Sequence, residues 1–299
     1  MVIYHPKSAV GRGFSPPVAA YKGGLKPRPT VKIKIHNKMA KVWFVGAGPG
    51  DPELLTLKAQ KLIAQADAIL YAGSLVSIAA TQWAKSTCRI QDSKGMTLEE
   101  ITDWLISQST EDATVIRLQT GDPGLYGALI EMIQPLDKAG IAIGVVPGVT
   151  SAMASAAAAV ETLTLPEVTQ TVIFSRVEGR TPMPAGESLV ELGQHHCTLC
   201  LYLSITLLKK VREDLLAAGW QDESSIVVVH KASWPDEQKI IHGTLANIQA
   251  VCKQAGINSQ SMIIASPALG ARQWDEIKKS KLYDAEFSHR FRKASKTQE

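Results

Sequence analysis

Three glycine-bearing segments are the first features of this sequence that could do chemistry. They are residues 46–51 (GAGPGD), 120–127 (TGDPGLYG) and 147–151 (PGVTS), and each follows a short apolar run. Glycine lets the backbone approach a ligand closely. Because ligands of open α/β sheets bind beyond the carboxyl ends of the strands, three such loops at one sheet edge would form a single site.

The first loop allows two other interpretations. It begins like the G-x-G of a dinucleotide-binding fold, but Asp51 stands where the third glycine belongs. Ala72 and Gly73, which follow the next predicted strand, offer no acid to hold a ribose. A tight turn without a ligand is the second alternative. Asp51 itself could orient a substrate or cap the next helix, and capping is the favoured role.

Cys197 and Cys200 form a C-x-x-C beside His195 and His196, a pattern that could bind a metal or do redox chemistry. Residues 198–203, however, are predicted to form a strand, in which positions 197 and 200 face opposite sides. We therefore expect a structural role for this pair and no metal bound by the protein. The chain has only four cysteines, too few for a disulfide scaffold of this size, which favours a reducing cytoplasm.

The elements that must position the three loops follow from the hydrophobic pattern. Strands are predicted at residues 41–46, 68–71, 114–118 and 141–146, and helices at residues 52–66, 98–106, 125–139 and 150–159. This alternation predicts an α/β domain with a largely parallel sheet over residues 39–163.

The alternation stops near Pro166 and then resumes. Strands are predicted at residues 171–176, 198–203, 225–231, 239–243 and 261–265, and helices at residues 206–218 and 245–255. Because the last three strands lie close together in the chain, we expect a mixed sheet in this second α/β domain, over residues 164–270. Residues 271–299 are interpreted as a charged tail.

Composition excludes several classes of protein. The chain is 45% hydrophobic and 20% charged, without a run of 18 apolar residues or a secretory signal, so no membrane partner is expected. Net charge is +4, but residues 1–39 carry eight basic residues and no acidic one. The rest is mildly acidic, which argues against a nucleic-acid partner. Residues 1–38 are expected to be a disordered basic extension, with Met39 as an alternative start and a transit peptide as the alternative role.

Taken together, the three loops resemble, in order and spacing, those of the tetrapyrrole methylases, the class III methyltransferases. The first of them continues as residues 46–59 (GAGPGDPELLTLKA). Residues 169–182 (TQTVIFSRVEGRTP) and 229–237 (VHKASWPDE) narrow the resemblance. They are similar to members of the family that methylate C-11 of precorrin-4 or cobalt-precorrin-4 in corrin biosynthesis. The resemblance covers about residues 41–269.

The resemblance implies that S-adenosylmethionine, the methyl donor, binds in an active-site cleft between the two domains and leaves as S-adenosylhomocysteine. The positions carried over by motif are Pro49, Gly121, Asp122, Leu125, Thr150, Ser151, Leu203 and Ala232. Gly73 departs from several relatives, which carry aspartate there, so no general base is expected from this position. Methyl transfer needs alignment more than an acid or a base, and no catalytic acid or base is assigned.

The implied substrate is a macrocycle with many carboxylates, and arginine is suited to bidentate pairing with such groups. We expect Arg176 and Arg180 to bind its carboxylate arms. Lys231 lies in another loop with Trp234, which could cover the ring face. Solvated loop charges and a tryptophan that only packs are the alternatives.

The expected partners are the tetrapyrrole and, by resemblance, a second copy of the chain in a homodimer. Three alternatives stay open for the function. The chain could methylate another ring carbon or another substrate of the family, it could bind a tetrapyrrole or the methyl donor without turnover, or it could be a nicotinamide-dependent oxidoreductase. Whether the ring already holds cobalt is also open.

Overall fold

The computed structural model describes residues 40–110, 112–277 and 279–294. The predictions for residues 1–38 and for the end of the tail therefore lie outside the described residues. Within the described part, the chain forms two five-stranded sheets with helices between their strands. The prediction of two α/β domains, one with a parallel and one with a mixed sheet, is confirmed.

The first sheet is entirely parallel, with the strand order β3-β2-β4-β1-β5. Its strands are β1 (Val42–Gly46), β2 (Ala68–Tyr71), β3 (Arg89–Asp92), β4 (Val115–Gln119) and β5 (Ile143–Val146). All carboxyl ends therefore lie at one edge. Because β4, β1 and β5 are neighbours, the three glycine loops that follow them are neighbours as well.

Helices cover both faces of this sheet. They are α1 (Leu57–Gln65), α2 (Leu98–Gln108) and α3 (Leu129–Lys138). Ile63 of α1 packs in one buried cluster with Val45 of β1, whereas Leu105 of α2 and Leu136 of α3 pack with Phe44 on the other face. Alternate residues of β1 thus face opposite cores, as the period of a strand requires.

The second sheet is mixed, with the strand order β6-β7-β10-β8-β9. Its strands are β6 (Val172–Arg176), β7 (Thr198–Tyr202), β8 (Ser225–His230), β9 (Lys239–Thr244) and β10 (Ser261–Ala265). Only β6 and β7 pair in parallel, and β10 runs antiparallel to both β7 and β8. Three helices, α5 (Leu189–Gly193), α6 (Leu208–Ala217) and α7 (Ile248–Gln254), cover one face.

The other face of the second sheet is covered by a helix that begins in the third glycine loop. This helix, α4 (Ser151–Ala159), follows β5 in the chain. Its Ala152 and Ala156 pack in one buried cluster with Val229 of β8 and Met262 of β10. Alanine side chains allow a helix to approach a sheet closely. The third loop is thereby fixed between the two sheets.

Several sequence predictions were wrong in detail. The strand β3 was missed because three of its four residues are exposed and the segment has no apolar run. The helix α5 was missed because it has only five residues, and a Ser188–Glu191 capping box marks its start. Two helices, α1 and α3, start at least four residues later than predicted. Thr56 caps α1, after a separate 3-10 turn at Pro52–Leu54.

The predicted helix over residues 125–139 begins four residues late, at Leu129. Its first turn is replaced by a loop in which Tyr126 and Ala128 have left-handed φ angles of 54° and 49°. Backbone conformation here is decided by contacts beneath the loop, which the local sequence does not reveal.

Cys197 and Cys200 do face opposite sides of β7, as predicted. Cys197 packs in the core beneath α5–α7, and Cys200 packs beneath α4. Burial raises the pKa of Cys200 to about 12, so its thiol stays protonated near neutral pH. Among the residues described, none of the helices is both long and apolar enough to span a bilayer. The described part of the predicted tail contains two 3-10 turns, Ala271–Gln273 and Lys281–Tyr283.

Candidate active site between the two sheets

The three glycine loops touch one another through their backbones. A Cβ atom on Gly148 would lie 2.1 Å from the carbonyl oxygen of Gly121 and 2.8 Å from the Cα of Gly46. Gly48 and Gly121 exchange two backbone hydrogen bonds, of 3.3 and 2.8 Å. The carboxylate of Asp122 accepts a hydrogen bond of 2.9 Å from the amide of Gly148. Only glycine allows this approach, which joins the loops into one wall.

A cavity of about 330 Å³ lies between this wall and the second sheet. On the far side it is lined by residues that follow β7 and β8 and by residues 258–262 at the start of β10. All eight positions that the resemblance assigned to the methyl donor line it: Pro49, Gly121, Asp122, Leu125, Thr150, Ser151, Leu203 and Ala232. The volume is in the usual range of small-molecule sites.

Trp234 fastens the second domain to the first glycine loop. Its indole N–H donates a hydrogen bond of 3.0 Å to the carbonyl of Pro49. A Cβ atom on Gly50 would lie 2.1 Å from the indole ring, so the ring rests directly on the backbone. Beside it, the hydroxyl of Ser233 accepts a hydrogen bond of 3.1 Å from the amide of Asp51. We call these contacts of Ser233 and Trp234 the tryptophan clasp.

The segment that carries this clasp has an unusual backbone. Lys231, Ser233 and Asp236 all have left-handed φ angles, of 46°, 66° and 61°. Lys231 lines the cavity, but its ammonium is paired with the carboxylate of Glu237 and lies 4.9 Å from the centre of the Trp234 ring. Such strain persists only where surrounding contacts hold it, and it is common at ligand sites.

Three residues that the sequence suggested for contact with substrate do not line the cavity: Asp51, Arg176 and Arg180. Asp51 caps the turn that follows it, accepting a hydrogen bond of 2.8 Å from the amide of Glu53, so the favoured capping role is confirmed. Arg176 donates hydrogen bonds to the carbonyls of Thr181 and Pro182, at 3.2 and 2.7 Å, and Arg180 is exposed. The contacts of Arg176 and Arg180 with substrate stay predictions.

Comparison with known proteins fits this arrangement. The family described as tetrapyrrole (corrin/porphyrin) methylases matches residues 41–249, the range that contains all three glycine loops. The chain belongs to the tetrapyrrole methylases.

Two relatives of this methylase match it over nearly their whole length. The cobalt-precorrin-4 C(11)-methyltransferase of Priestia megaterium is 46% identical, and the match covers 86% of this chain and 100% of the relative. The precorrin-4 C(11)-methyltransferase of Pseudomonas aeruginosa is 40% identical over 84% of this chain and 98% of the relative.

Two solved structures share the fold of this methylase. The X-ray structure of a cobalamin biosynthetic enzyme, cobalt precorrin-4 methyltransferase, has a TM-score of 0.74 at 46% identity and covers 76% of this chain and 95% of its own. Uroporphyrin-III C-methyltransferase of Thermus thermophilus, complexed with S-adenyl homocysteine, has a TM-score of 0.64 at 27% identity. It covers 79% of this chain and 100% of its own.

Sequence reasoning about this methylase missed two hydroxyl groups in the cavity wall. Ser155 is fully buried, and its hydroxyl has no hydrogen-bond partner among the described residues. It lies one helical turn after Ser151, so the i, i+4 spacing could have revealed it. Tyr202 lines the cavity, and its hydroxyl is hydrogen-bonded to Thr150. Burial raises the pKa of Tyr202, so the phenol stays neutral.

The departure at Gly73 also has a structural explanation. The carboxylate of Asp92 accepts a hydrogen bond of 2.9 Å from the Gly73 amide. A Cβ atom on Gly73 would lie 2.2 Å from a carboxylate oxygen of Asp92. The Asp92 side chain, from a strand that the sequence did not reveal, thus fills the space that a side chain at position 73 would need.

Charge is scarce in the cavity of this methylase. Of the described residues that line it, only Asp122 and Lys231 carry a formal charge. Asp122 accepts hydrogen bonds from the amides of Gly124 and Gly148, at 2.8 and 2.9 Å, and Lys231 is paired with Glu237. Both charged groups are therefore already bound to other groups of the protein. The arrangement suits binding and alignment better than transfer of protons.

Replacement of Trp234 tests the tryptophan clasp. Trp234→Ala should lower the free energy of unfolding by about 2 kcal/mol, a value reduced from that of a fully buried aromatic because the ring is partly exposed. Trp234→Phe keeps an aromatic ring but loses the hydrogen bond to Pro49 and part of the packed surface, and it should cost less than Trp234→Ala, about 1 kcal/mol. Urea denaturation measures both. Trp274→Ala, at a residue 41% exposed, is the control and should cost less than Trp234→Ala. Equal losses at positions 234 and 274 would contradict the clasp.

Proposed function

We propose that this methylase transfers a methyl group from S-adenosylmethionine to C-11 of cobalt-precorrin-4 or precorrin-4. The products would be S-adenosylhomocysteine and the C-11-methylated precorrin-5 or cobalt-precorrin-5. One observation carries the proposal. In a chain that matches a cobalt-precorrin-4 C(11)-methyltransferase over the full length of that relative, all three glycine loops and the ends of β7 and β8 line one cavity.

The residues of the cavity fit S-adenosylmethionine. The backbone of Gly121 is open to a ligand. A Cβ atom at this position would have no neighbour closer than 3.6 Å, so space remains beside it. The hydroxyl of Ser155, for which the described part of the chain supplies no hydrogen-bond partner, offers one more polar contact in the wall. The residues proposed to hold the cofactor are Pro49, Gly121, Asp122, Leu125, Thr150, Ser151, Leu203 and Ala232. Apolar walls with a few placed polar groups are typical of such sites.

The chemistry follows from these walls. S-adenosylmethionine supplies a methyl group already activated by a positively charged sulfur. The chain has to align this methyl group with an electron-rich ring carbon and to keep water out. Since Asp122 and Lys231 are already paired, no side chain of the cavity is assigned as acid or base.

Arg176 and Arg180 are proposed to bind the carboxylate arms of the substrate. Lys231 and Trp234, which line the cavity, are proposed to complete the substrate site, with the indole of Trp234 against the ring face. The guanidinium of Arg176 uses two of its donors on Thr181 and Pro182, which fixes its position while leaving donors for a carboxylate. Arg180 lies four residues later in the same loop and is exposed. Asp51 is not assigned to the substrate, because its carboxylate caps the following turn.

A substrate that already contains cobalt is favoured. The relative named for the cobalt form is 46% identical, whereas the one named for precorrin-4 is 40% identical. The cobalt would belong to the substrate. No group of three or more potential metal ligands occurs among the described residues.

Methyl transfer is the decisive test of the activity. The enzyme is incubated with methyl-labelled S-adenosylmethionine and either cobalt-precorrin-4 or precorrin-4, and the products are analysed by mass spectrometry and NMR. We expect addition of one labelled methyl group at C-11, faster with cobalt-precorrin-4. Addition at another carbon would show that the enzyme methylates a different ring position, and it would contradict the C-11 assignment. Binding of both ligands without any transfer would leave a non-catalytic binding protein.

Substitution of Arg180 tests the assignment of the carboxylate arms. Arg180→Gln removes one charge-assisted hydrogen bond and should raise the KM for the tetrapyrrole about tenfold, roughly 1.4 kcal/mol. The KM for S-adenosylmethionine should not change. Arg272→Gln, at an exposed residue that does not line the cavity, is the matched control. An unchanged KM for the tetrapyrrole in Arg180→Gln would remove this residue from the substrate site.

We also propose that the chain acts as a homodimer in the cytoplasm. Val145 on the edge strand β5, Ile130 on α3 and Met153 on α4 are 44%, 60% and 49% exposed, and a symmetric interface would bury such side chains. All four cysteines are free thiols, which is usual in a reducing compartment. Sedimentation velocity should give twice the chain mass of 32.3 kDa, and a monomer at micromolar concentration would contradict the dimer.

A further inference from the structure

The second glycine loop holds an aromatic side chain in a strained position. Tyr126 and Ala128 both have left-handed φ angles, of 54° and 49°, on either side of Gly127. Residues with a Cβ atom rarely adopt this conformation, because the side chain crowds the following backbone. Where it occurs twice in three residues, surrounding contacts must impose it, and such strain is concentrated at functional sites.

The contacts that impose this conformation lie beneath the loop. Gln119, at the end of β4, is 4% exposed, and its amide nitrogen donates a hydrogen bond of 2.5 Å to the carbonyl of Gly127. A Cβ atom on Gly127 would lie 2.7 Å from the same nitrogen. At the start of the loop, Asp122 accepts a hydrogen bond of 2.8 Å from the amide of Gly124. The loop is therefore anchored at both ends.

This anchored loop directs Tyr126 toward the second domain. The ring lines the cavity and remains 48% exposed. Its centroid lies 5.2 Å from that of Tyr202, which also contacts Phe174 edge-on at 6.0 Å. Tyr202 is fixed by its hydrogen bond to Thr150. Tyr126 thus stands at the cavity mouth on an aromatic support, with part of its ring available to a ligand.

Arg176 stands beside Tyr202 in the second sheet, as its register partner in the parallel pair of β6 and β7. Burial raises the pKa of Tyr126, Tyr202 and Glu187 add to this rise, and the positive charge of Arg176 opposes it. The phenol therefore stays neutral near pH 7. Arg176 is held by the carbonyls of its own loop and comes from β6, two residues after Phe174. A neutral aromatic ring that rests on Tyr202, with Arg176 opposite Tyr202 on the neighbouring strand, matches a conjugated ligand that carries carboxylates.

We propose that Tyr126 is a positioning residue for the tetrapyrrole, whose ring system it contacts at the cavity mouth while Arg176 pairs with a carboxylate arm. The contact holds the target carbon in line with the methyl group. This inference rests on the proposed function and names one part of its substrate site. It requires the aromatic ring of Tyr126, not its hydroxyl.

Three variants of Tyr126 and one control separate the possible roles. Tyr126→Phe keeps the ring, Tyr126→Leu removes the flat surface, and Tyr126→Gly removes the side chain and also relieves the backbone strain. Tyr283→Leu is the control, at a tyrosine 78% exposed that does not line the cavity. KM and kcat are measured for both substrates. Uroporphyrin III, a flat tetrapyrrole with carboxylate arms, is the probe for direct binding by fluorescence, and S-adenosylhomocysteine is titrated by calorimetry.

We expect Tyr126→Leu and Tyr126→Gly to raise the tetrapyrrole KM and the Kd of uroporphyrin III about tenfold, a range typical of stacking contacts. The Kd of S-adenosylhomocysteine should stay within about twofold, and Tyr126→Phe should behave like the wild type. Because relief of strain favours folding, Tyr126→Gly should lose binding without a lower Tm.

Three results would overturn the inference. Weaker binding of S-adenosylhomocysteine by the same factor would assign Tyr126 to the cofactor. Unchanged KM for the tetrapyrrole and unchanged Kd of uroporphyrin III in Tyr126→Leu would show that the tyrosine ring has no role. The same conclusion would follow if the wild type bound neither uroporphyrin III nor either precorrin. If the wild type binds uroporphyrin III through Tyr126 but methylates neither precorrin, the proposed function fails and the contact stands.

Discussion

The close approach of three backbones at Gly46, Gly121 and Gly148 is the constraint on which the rest of the structure depends. Because β4, β1 and β5 are adjacent and parallel, their following loops meet at one edge, and a single Cβ atom on Gly148 would collide with the carbonyl of Gly121. The third loop continues into α4, and α4 packs on the second sheet. The three joined loops therefore form one wall of the cavity and also fix the position of the second domain.

Strained residues are concentrated around this cavity. Tyr126, Leu203, Lys231 and Ser233 all have left-handed φ angles, and three of the four line the cavity itself. Leu203, which lines the cavity, is 66% exposed. Neither strain nor exposure favours folding, so the stability of the two cores must offset both. This pattern is the one expected where side chains are held ready for a ligand.

The chemistry of the site is one of alignment. The two charged side chains of the cavity wall are bound to other groups of the protein, and the phenols beside it are kept neutral by burial. A reaction that needed a strong base would be poorly served here. Displacement of an already activated methyl group needs orientation and exclusion of water, which rigid loops, apolar walls and the tryptophan clasp can supply.

Sequence alone determined the glycine loops, most of the strands and the mixed second sheet, because these depend on local residue types and on motif order. The resemblance to the family, carried by the same motifs, supplied eight of the positions that line the cavity. Only the tertiary structure decided the remainder. Trp234 meets Pro49 across 185 residues, Asp92 fills the space beside Gly73, and Tyr126 rests on Tyr202 from the other domain. The substrate contacts of Arg176 and Arg180 stay predictions. Local spacing fixes which residues share a face of a helix or strand, but packing between distant segments fixes which of them meet.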